Sequence, residues 1–178
     1  CWGGRHAVSR PRSVTGLPRL AAIAAGYFHA CGLTSDGRAW CWSESFDDAR
    51  AVELPPASSI VAGSHTCALT RDSKVYCWGN NANRQCQDSD ASEIAQPMEV
   101  EAARGAARII PSPYGTCALR ADHSALCWGS DSYDGTPEVI ADLTGSTELA
   151  PGSDGVCGSR SDATVVCRGE AGQLLPLE

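Results

Sequence analysis

Apolar and polar residues alternate along this chain in short runs, and the runs come in pairs around a polar centre. Residues 67–77 read Cys67-Ala-Leu-Thr-Arg-Asp-Ser-Lys-Val-Tyr-Cys77. Such period-two alternation on both sides of a turn predicts a β-hairpin. Folding it about Asp72 sets Cys67 opposite Cys77 and Leu69 opposite Val75 on one face, with Thr70 and Tyr76 on the other. Directly opposed residues in a non-hydrogen-bonded antiparallel pair have Cα atoms roughly 4.5 Å apart, a separation that a disulfide spans without moving the backbone.

The same frame recurs three more times, with cysteines ten positions apart at Cys31 and Cys41, Cys117 and Cys127, and Cys157 and Cys167. Asp36, Asp72, Asp122 and Asp162 stand five residues after the first cysteine of their pairs. Aspartate favours turns because its side chain bonds nearby backbone N–H groups, and Gly37 after Asp36 supplies a left-handed conformation. One bridge within each hairpin is therefore expected. The competing reading of the cysteines, a metal site, lacks the short C-x-x-C or paired-histidine spacing of known zinc patterns, and no metal or cofactor is expected.

Each copy carries further strand signals. An apolar segment ending in a turn precedes the first cysteine: Leu20 to Gly26, Ser59 to Gly63, Ala107 to Ile110, Glu148 to Gly152. After the second cysteine come Trp42, Trp78, Trp128 or Arg168, then a small residue and a polar loop, and a fourth short segment such as Pro11 to Val14 or Pro97 to Val100. Three or four strands per copy make a small antiparallel sheet that cannot bury both faces alone, so neighbouring copies must stack. Stacking is either radial, as in a propeller, or linear, as in a solenoid; sheet twist favours the radial form, and no long amphipathic helix interrupts the copies. The expected fold is an all-β propeller, with the tail of a truncated repeat at 1–10 and repeats at 11–50, 51–96, 97–136 and 137–178 of one domain.

Composition narrows the setting. The chain has 178 residues, 43% of them hydrophobic, enough to build a core. Ten cysteines in paired spacing argue for secretion, a periplasm or a cell surface rather than a reducing cytosol. The longest apolar stretch, Leu20 to Ala25, is far too short to span a bilayer, and no signal peptide is visible. A net charge of −7 without a basic stripe disfavours nucleic acid and anionic membranes as partners. Lys74 is the sole lysine, and the arginine bias fits a GC-rich, bacterial coding sequence.

Gly63-Ser64-His65-Thr66-Cys67-Ala68-Leu69-Thr70, then Asp72 and Val75-Tyr76-Cys77-Trp78-Gly79-Asn80-Asn81, resembles the repeat of the regulator-of-chromosome-condensation family. Gly26 to Thr34 with Asp36-Gly37 is a second match, and Gly172-Gln173-Leu174 resembles the close of a family repeat. The resemblance implies a seven-bladed β-propeller of which about four blades are present, with paired cysteines like those of secreted bacterial members. Cys1-Trp2-Gly3-Gly4 then reads as the end of a fifth copy. Copies three and four depart from the pattern, with Gly115 and Gly155 in place of the histidine and Arg168 in place of the tryptophan. The chain is read as a piece of a longer propeller, an arc completed by another chain, or an unusually small ring, the first being favoured.

Few residues suggest chemistry. His29 and His65 recur two positions before a cysteine, which points to a structural hydrogen bond rather than a base or ligand, while His6 and His123 join no constellation. Gly152-Ser153-Asp154-Gly155 lacks the nucleophile-elbow pattern. Acidic residues follow the tryptophans, Glu44, Asp47 and Asp48, then Asp88, Asp90 and Glu93, then Asp131 and Asp134, and equivalent loops of a propeller emerge on one side. They are candidate binding residues for a cationic partner or loosely held calcium, without EF-hand spacing. Trp2, Trp42, Trp78 and Trp128 read as packing between blades, and the unmatched Trp40 as a candidate surface anchor. Cys86 is left to pair with Cys1, join another chain or stay free, and a lipid on Cys1 is a weaker reading than a truncated repeat.

The expected function is extracellular, non-enzymatic protein binding through loops on one face of the propeller. Inhibition of a secreted enzyme is one alternative. Guanine-nucleotide exchange, which the resemblance implies, and a hydrolase or lyase site at the ring centre are the others.

Overall fold

The computed structural model describes residues 13–43, 49–87, 89–112, 115–129, 135–152 and 155–169, and the backbone of 174–175. They form four antiparallel sheets of four strands each, in simple up-and-down order. Sheet 1 holds β1 (Ala22–Ala25), β2 (His29–Leu33), β3 (Ala39–Ser43) and β4 (Arg50–Val52). Sheet 2 holds β5 (Ala57–Ala62), β6 (His65–Thr70), β7 (Val75–Asn80) and β8 (Glu93–Glu99). Sheet 3 holds β9 (Ala106–Pro111), β10 (Gly115–Arg120), β11 (Ala125–Gly129) and β12 (Glu138–Val139). Sheet 4 holds β13 (Ser146–Pro151), β14 (Gly155–Arg160), β15 (Val165–Gly169) and β16 (Leu174–Leu175).

The alternation of the sequence sets the register. Cys67 stands opposite Cys77 and Leu69 opposite Val75, as the hairpin reading requires. All four bridges form within their hairpins, with Cα atoms 4.0–4.1 Å apart. At the turns, Asp36, Asp72, Asp122 and Asp162 bond the hydroxyls of Thr34, Thr70, Ser124 and Thr164. Gly37 takes the left-handed conformation at φ +91°, and Ser73, His123 and Ala163 supply it in the other three turns.

Sheets and sequence repeats differ in phase. Residues 97–99 belong to β8 and complete sheet 2, and β4 extends past residue 50, so the sheets part at 53–56, 100–105 and 140–145. Ser13 and Val14 form no strand, and Pro11 and Arg12 lie outside the described residues. The outer strand is the one whose short, polar sequence carries the weakest period-two signal.

Successive sheets pack face to face. The first strands run side by side, β5 against β1, β9 against β5 and β13 against β9, which makes them the inner strands about a common axis. Among the described residues no comparable packing joins β13 to β1, and the four sheets follow one another as an arc about that axis. One apolar cluster runs continuously from Leu33 and Ala39 of sheet 1 through Ile60, Leu69 and Val75 to Ile109 and Trp128 of sheet 3. A second, around Leu119, Ala125 and Val156, joins sheets 3 and 4. Burying each such aliphatic side chain contributes roughly 1.5–3 kcal/mol, which offsets the ordering of the connecting loops. No helix among the described residues is long and apolar enough to cross a membrane.

Candidate functional site

The turns between first and second strands all emerge at one end of the arc, where they bound an open trough of about 420 Å³. Gly26 and Tyr27, Gly63, Ser112 and Gly152 line it, each from a different sheet, with Pro111 and Pro151 on its walls. Tyr27 is 62% exposed and Phe28 52%, their ring centroids 6.4 Å apart. The backbone at this end is tied between sheets, the N–H of Tyr27 donating to the carbonyl of Gly63 at 3.0 Å. The trough is therefore a concave surface of mixed polarity held by fixed sheets, with aromatic area left in water. Among the described residues no three metal-binding side chains cluster.

The recurring histidines join the sheets, His65 fully buried and His29 half-buried. His29 Nε2 lies 2.6 Å from Thr66 Oγ1 of sheet 2, and His65 Nε2 lies 2.6 Å from Thr116 Oγ1 of sheet 3. The Thr116 hydroxyl spends its proton on the Gln85 carbonyl, at 3.0 Å, so His65 donates from Nε2 and is a neutral ring. Burial pushes its pKa down to about 4, with a smaller repulsion from His29, and burial also lowers that of His29. In sheets 3 and 4 the partners vanish together, with Gly115 facing Val156. A Cβ at Gly115 would stand 2.7 Å from the Trp128 carbonyl oxygen, so this backbone admits no side chain there. A void of about 30 Å³ remains at that seam, too small for an organic ligand.

The tryptophans serve the same interfaces. Trp128 is fully buried and donates from Nε1 to the Gln85 carbonyl of sheet 2 at 2.9 Å. Arg168, in the equivalent place of sheet 4, instead pairs with Asp142 at 2.9 Å. Trp40 is half-buried in β3, opposite Gly32 and at the register position of Tyr76 and Leu126, on the side of sheet 1 facing away from sheet 2.

Of the candidate acidic residues, Asp90 is exposed and paired with Arg84 at 3.0 Å, and Glu93 is exposed at the start of β8. Glu44, Asp47, Asp48, Asp88, Asp131 and Asp134 lie outside the described residues, as do Cys1, Trp2 and His6. Cys86 is free and buried, its thiol donating to the Asn80 carbonyl, and burial pushes its pKa up to about 12. That thiol is inert at neutral pH. The buried Gln85, whose backbone receives both Thr116 and Trp128, escaped sequence reasoning; the only signal was its match to Gln173 in Gly172-Gln173-Leu174.

Four disulfide-stapled sheets stacked about an axis define a β-propeller. Residues 21–47 and 59–85 match the model of the regulator of chromosome condensation (RCC1) repeat. No curated protein matches it by sequence. Among solved structures it is similar to Prp20p from Saccharomyces cerevisiae, with TM-score 0.77 and 18% identity over 93% of this chain and 48% of that one. It is also similar to human WBSCR16, with TM-score 0.70 and 14% identity over 90% of this chain and 49% of that one. The CRINKLY WD40 ectodomain of the Arabidopsis thaliana receptor kinase ACR4 gives TM-score 0.59 and 24% identity over 89% of this chain and 54% of that one. The chain spans about half the length of each. Prp20p is a protein with binding properties toward Gsp1p and histones, and yeast RCC1 has been solved with Kap60 bound.

Proposed function

We propose that the chain is an extracellular protein-binding scaffold that recognises its partner at the trough end of the arc and carries no catalytic chemistry of its own. The observation that carries this reading is the convergence of turns from four sheets on one open, aromatic-edged surface. Rigid sheets hold variable turns in fixed places, which favours recognition by lowering the ordering cost of binding. Three further features support it. The bridges suit an oxidising compartment, His29 and His65 are occupied between sheets, and a structurally similar propeller, Prp20p, binds proteins.

The test uses the immobilised chain against the secreted proteins of its source, beside a Tyr27→Ser/Phe28→Ser double variant. Capture of a specific protein by the parent and at least a tenfold weaker affinity for the variant, at unchanged thermal midpoint, are expected. Capture that is indifferent to both aromatics removes the trough end as the recognition surface.

A further inference from the structure

The two ends of the arc differ in charge. Ser43, Gly79, Gly129 and Gly169, where the third strands finish, stand opposite His29, His65, Gly115 and Gly155, where the second strands leave the trough turns. The sequence joining third to fourth strand therefore sets out from the trough end. Residues 44–48 carry Glu44, Asp47 and Asp48, and residues 130–134 carry Asp131 and Asp134, with no base in either segment. Five residues held at both ends reach no more than about 10 Å from them, close to the ~8 Å over which a charge acts at physiological ionic strength. The opposite end is balanced: Asp36 pairs with Arg38 at 2.7 Å, Asp72 with Lys74 at 3.2 Å and Asp142 with Arg168 at 2.9 Å. Arg120 and Arg160 stand two residues before Asp122 and Asp162 at that end. The net charge of −7 thus falls mainly toward the trough.

We propose that the trough end takes up a basic segment of its protein partner, with an arginine or lysine laid over the Tyr27 and Phe28 rings and its basic neighbours held by the field of residues 44–48 and 130–134. This rests on the trough end being the recognition surface and adds the chemistry of what it recognises. The two exposed rings are inclined at 54°, so neither face is stacked against the other. An aromatic face attracts a cation through its quadrupole, and a guanidinium plane stacks on it as well. The trough walls, Ala25, Ala62, Pro111 and Pro151, bring no lysine or arginine to repel an incoming cation. An apolar segment would gain from the rings alone, and an acidic one would be repelled by the surrounding charge. A basic segment gains from both, and the long-range attraction also speeds its arrival.

Fluorescence anisotropy of the oxidised chain with a labelled arginine–glycine repeat peptide, beside a glutamine–glycine peptide of equal length, tests this. The arginine peptide should bind about tenfold more tightly than the glutamine peptide, and the difference should shrink as salt is raised. Glu44→Gln/Asp47→Asn/Asp48→Asn and Tyr27→Ser/Phe28→Ser should each weaken the arginine peptide severalfold at unchanged thermal midpoint. Glu53→Gln/Glu101→Gln, two exposed carboxylates at the opposite end, should leave it unchanged. A chain that binds neither peptide, or both equally, overturns the proposal, as does binding that the opposite-end variant weakens as much as the trough-end ones. The salt and glutamine comparisons use the parent chain, so they decide the matter even where a variant fails to fold. Capture of a secreted protein that depends on Tyr27 and Phe28 but ignores salt and is not displaced by the arginine peptide keeps the docking surface and removes only the basic partner; capture that ignores both aromatics removes the two together.

Discussion

At the scale of single residues, the histidines show how a buried polar group is tolerated only when its partner is built into the neighbouring sheet. His65 is fully buried and neutral, bonded through Nε2 to Thr116. Its pKa lies at about 4 in the fold against 6.5 when free, so below pH 6.5 the unfolded chain takes up a proton that the fold refuses. Stability is therefore level above neutrality and falls as the pH drops from about 6.5 to about 4, by roughly 3 kcal/mol from this group, with His29 acting in the same direction. The turn aspartates, whose pKa values are lowered chiefly by side-chain hydrogen bonds, lose their contribution only as pH falls from about 4 downward, outside that window. Urea unfolding at a series of pH values should show the slope, and His65→Gln should remove most of it. A slope that survives in that variant would place the titration elsewhere. The structural role of His65 was legible in its recurrence, but its partner was not. Thr116 lies in the next copy, and only the stacking of sheets, which no local pattern encodes, brings the two together.

Among the elements, the bridged hairpin is the part the sequence specifies most fully. Period-two alternation fixes which faces are apolar, and the ten-residue spacing with a central aspartate fixes the register, because a slip by one residue would turn each cysteine away from its partner. The outer strands were less legible. β12 and β16 are two residues each, and so short a segment carries no period. Each bridge also lies on the face turned toward the following sheet, where Cys31, Cys67 and Cys77 are fully buried. The Cys67–Cys77 bridge thus acts twice, constraining the unfolded chain and filling the seam between sheets 2 and 3. Cys67→Ser/Cys77→Ser should lower the unfolding free energy by about 2–3 kcal/mol from loop closure, and further from burying two hydroxyls. Denaturant titration of the variant beside the parent measures it; an unchanged midpoint would mean that packing alone fixes the hairpin.

Across the whole molecule, each sheet meets only its neighbours, so stability is a sum of sheet and seam contributions and the weakest seam decides where the arc opens first. Radial stacking was legible because a small sheet with two apolar faces must be covered on both sides and sheet twist favours stacking about an axis, whereas the arc's two open faces emerged only when Ile23 and Val165 were compared with buried counterparts. The three seams are not alike. Those between sheets 1 and 2 and between sheets 2 and 3 carry a histidine–threonine bond and share one continuous apolar cluster. The seam between sheets 3 and 4 has Gly115 against Val156, a void of about 30 Å³ and a smaller cluster, with the exposed Arg108–Glu148 pair at its edge adding little. Native-state hydrogen exchange should therefore find β14 and β15 opening at lower free energy than β6 and β7. Thr116→Val should then bring sheets 2 and 3 down toward sheet 4 by about 1–3 kcal/mol, because it leaves the His65 ring buried without its acceptor while keeping the side-chain volume. Protection that is uniform across all four sheets, or unmoved by Thr116→Val, would mean that the arc unfolds as one unit and that the seams are energetically equivalent.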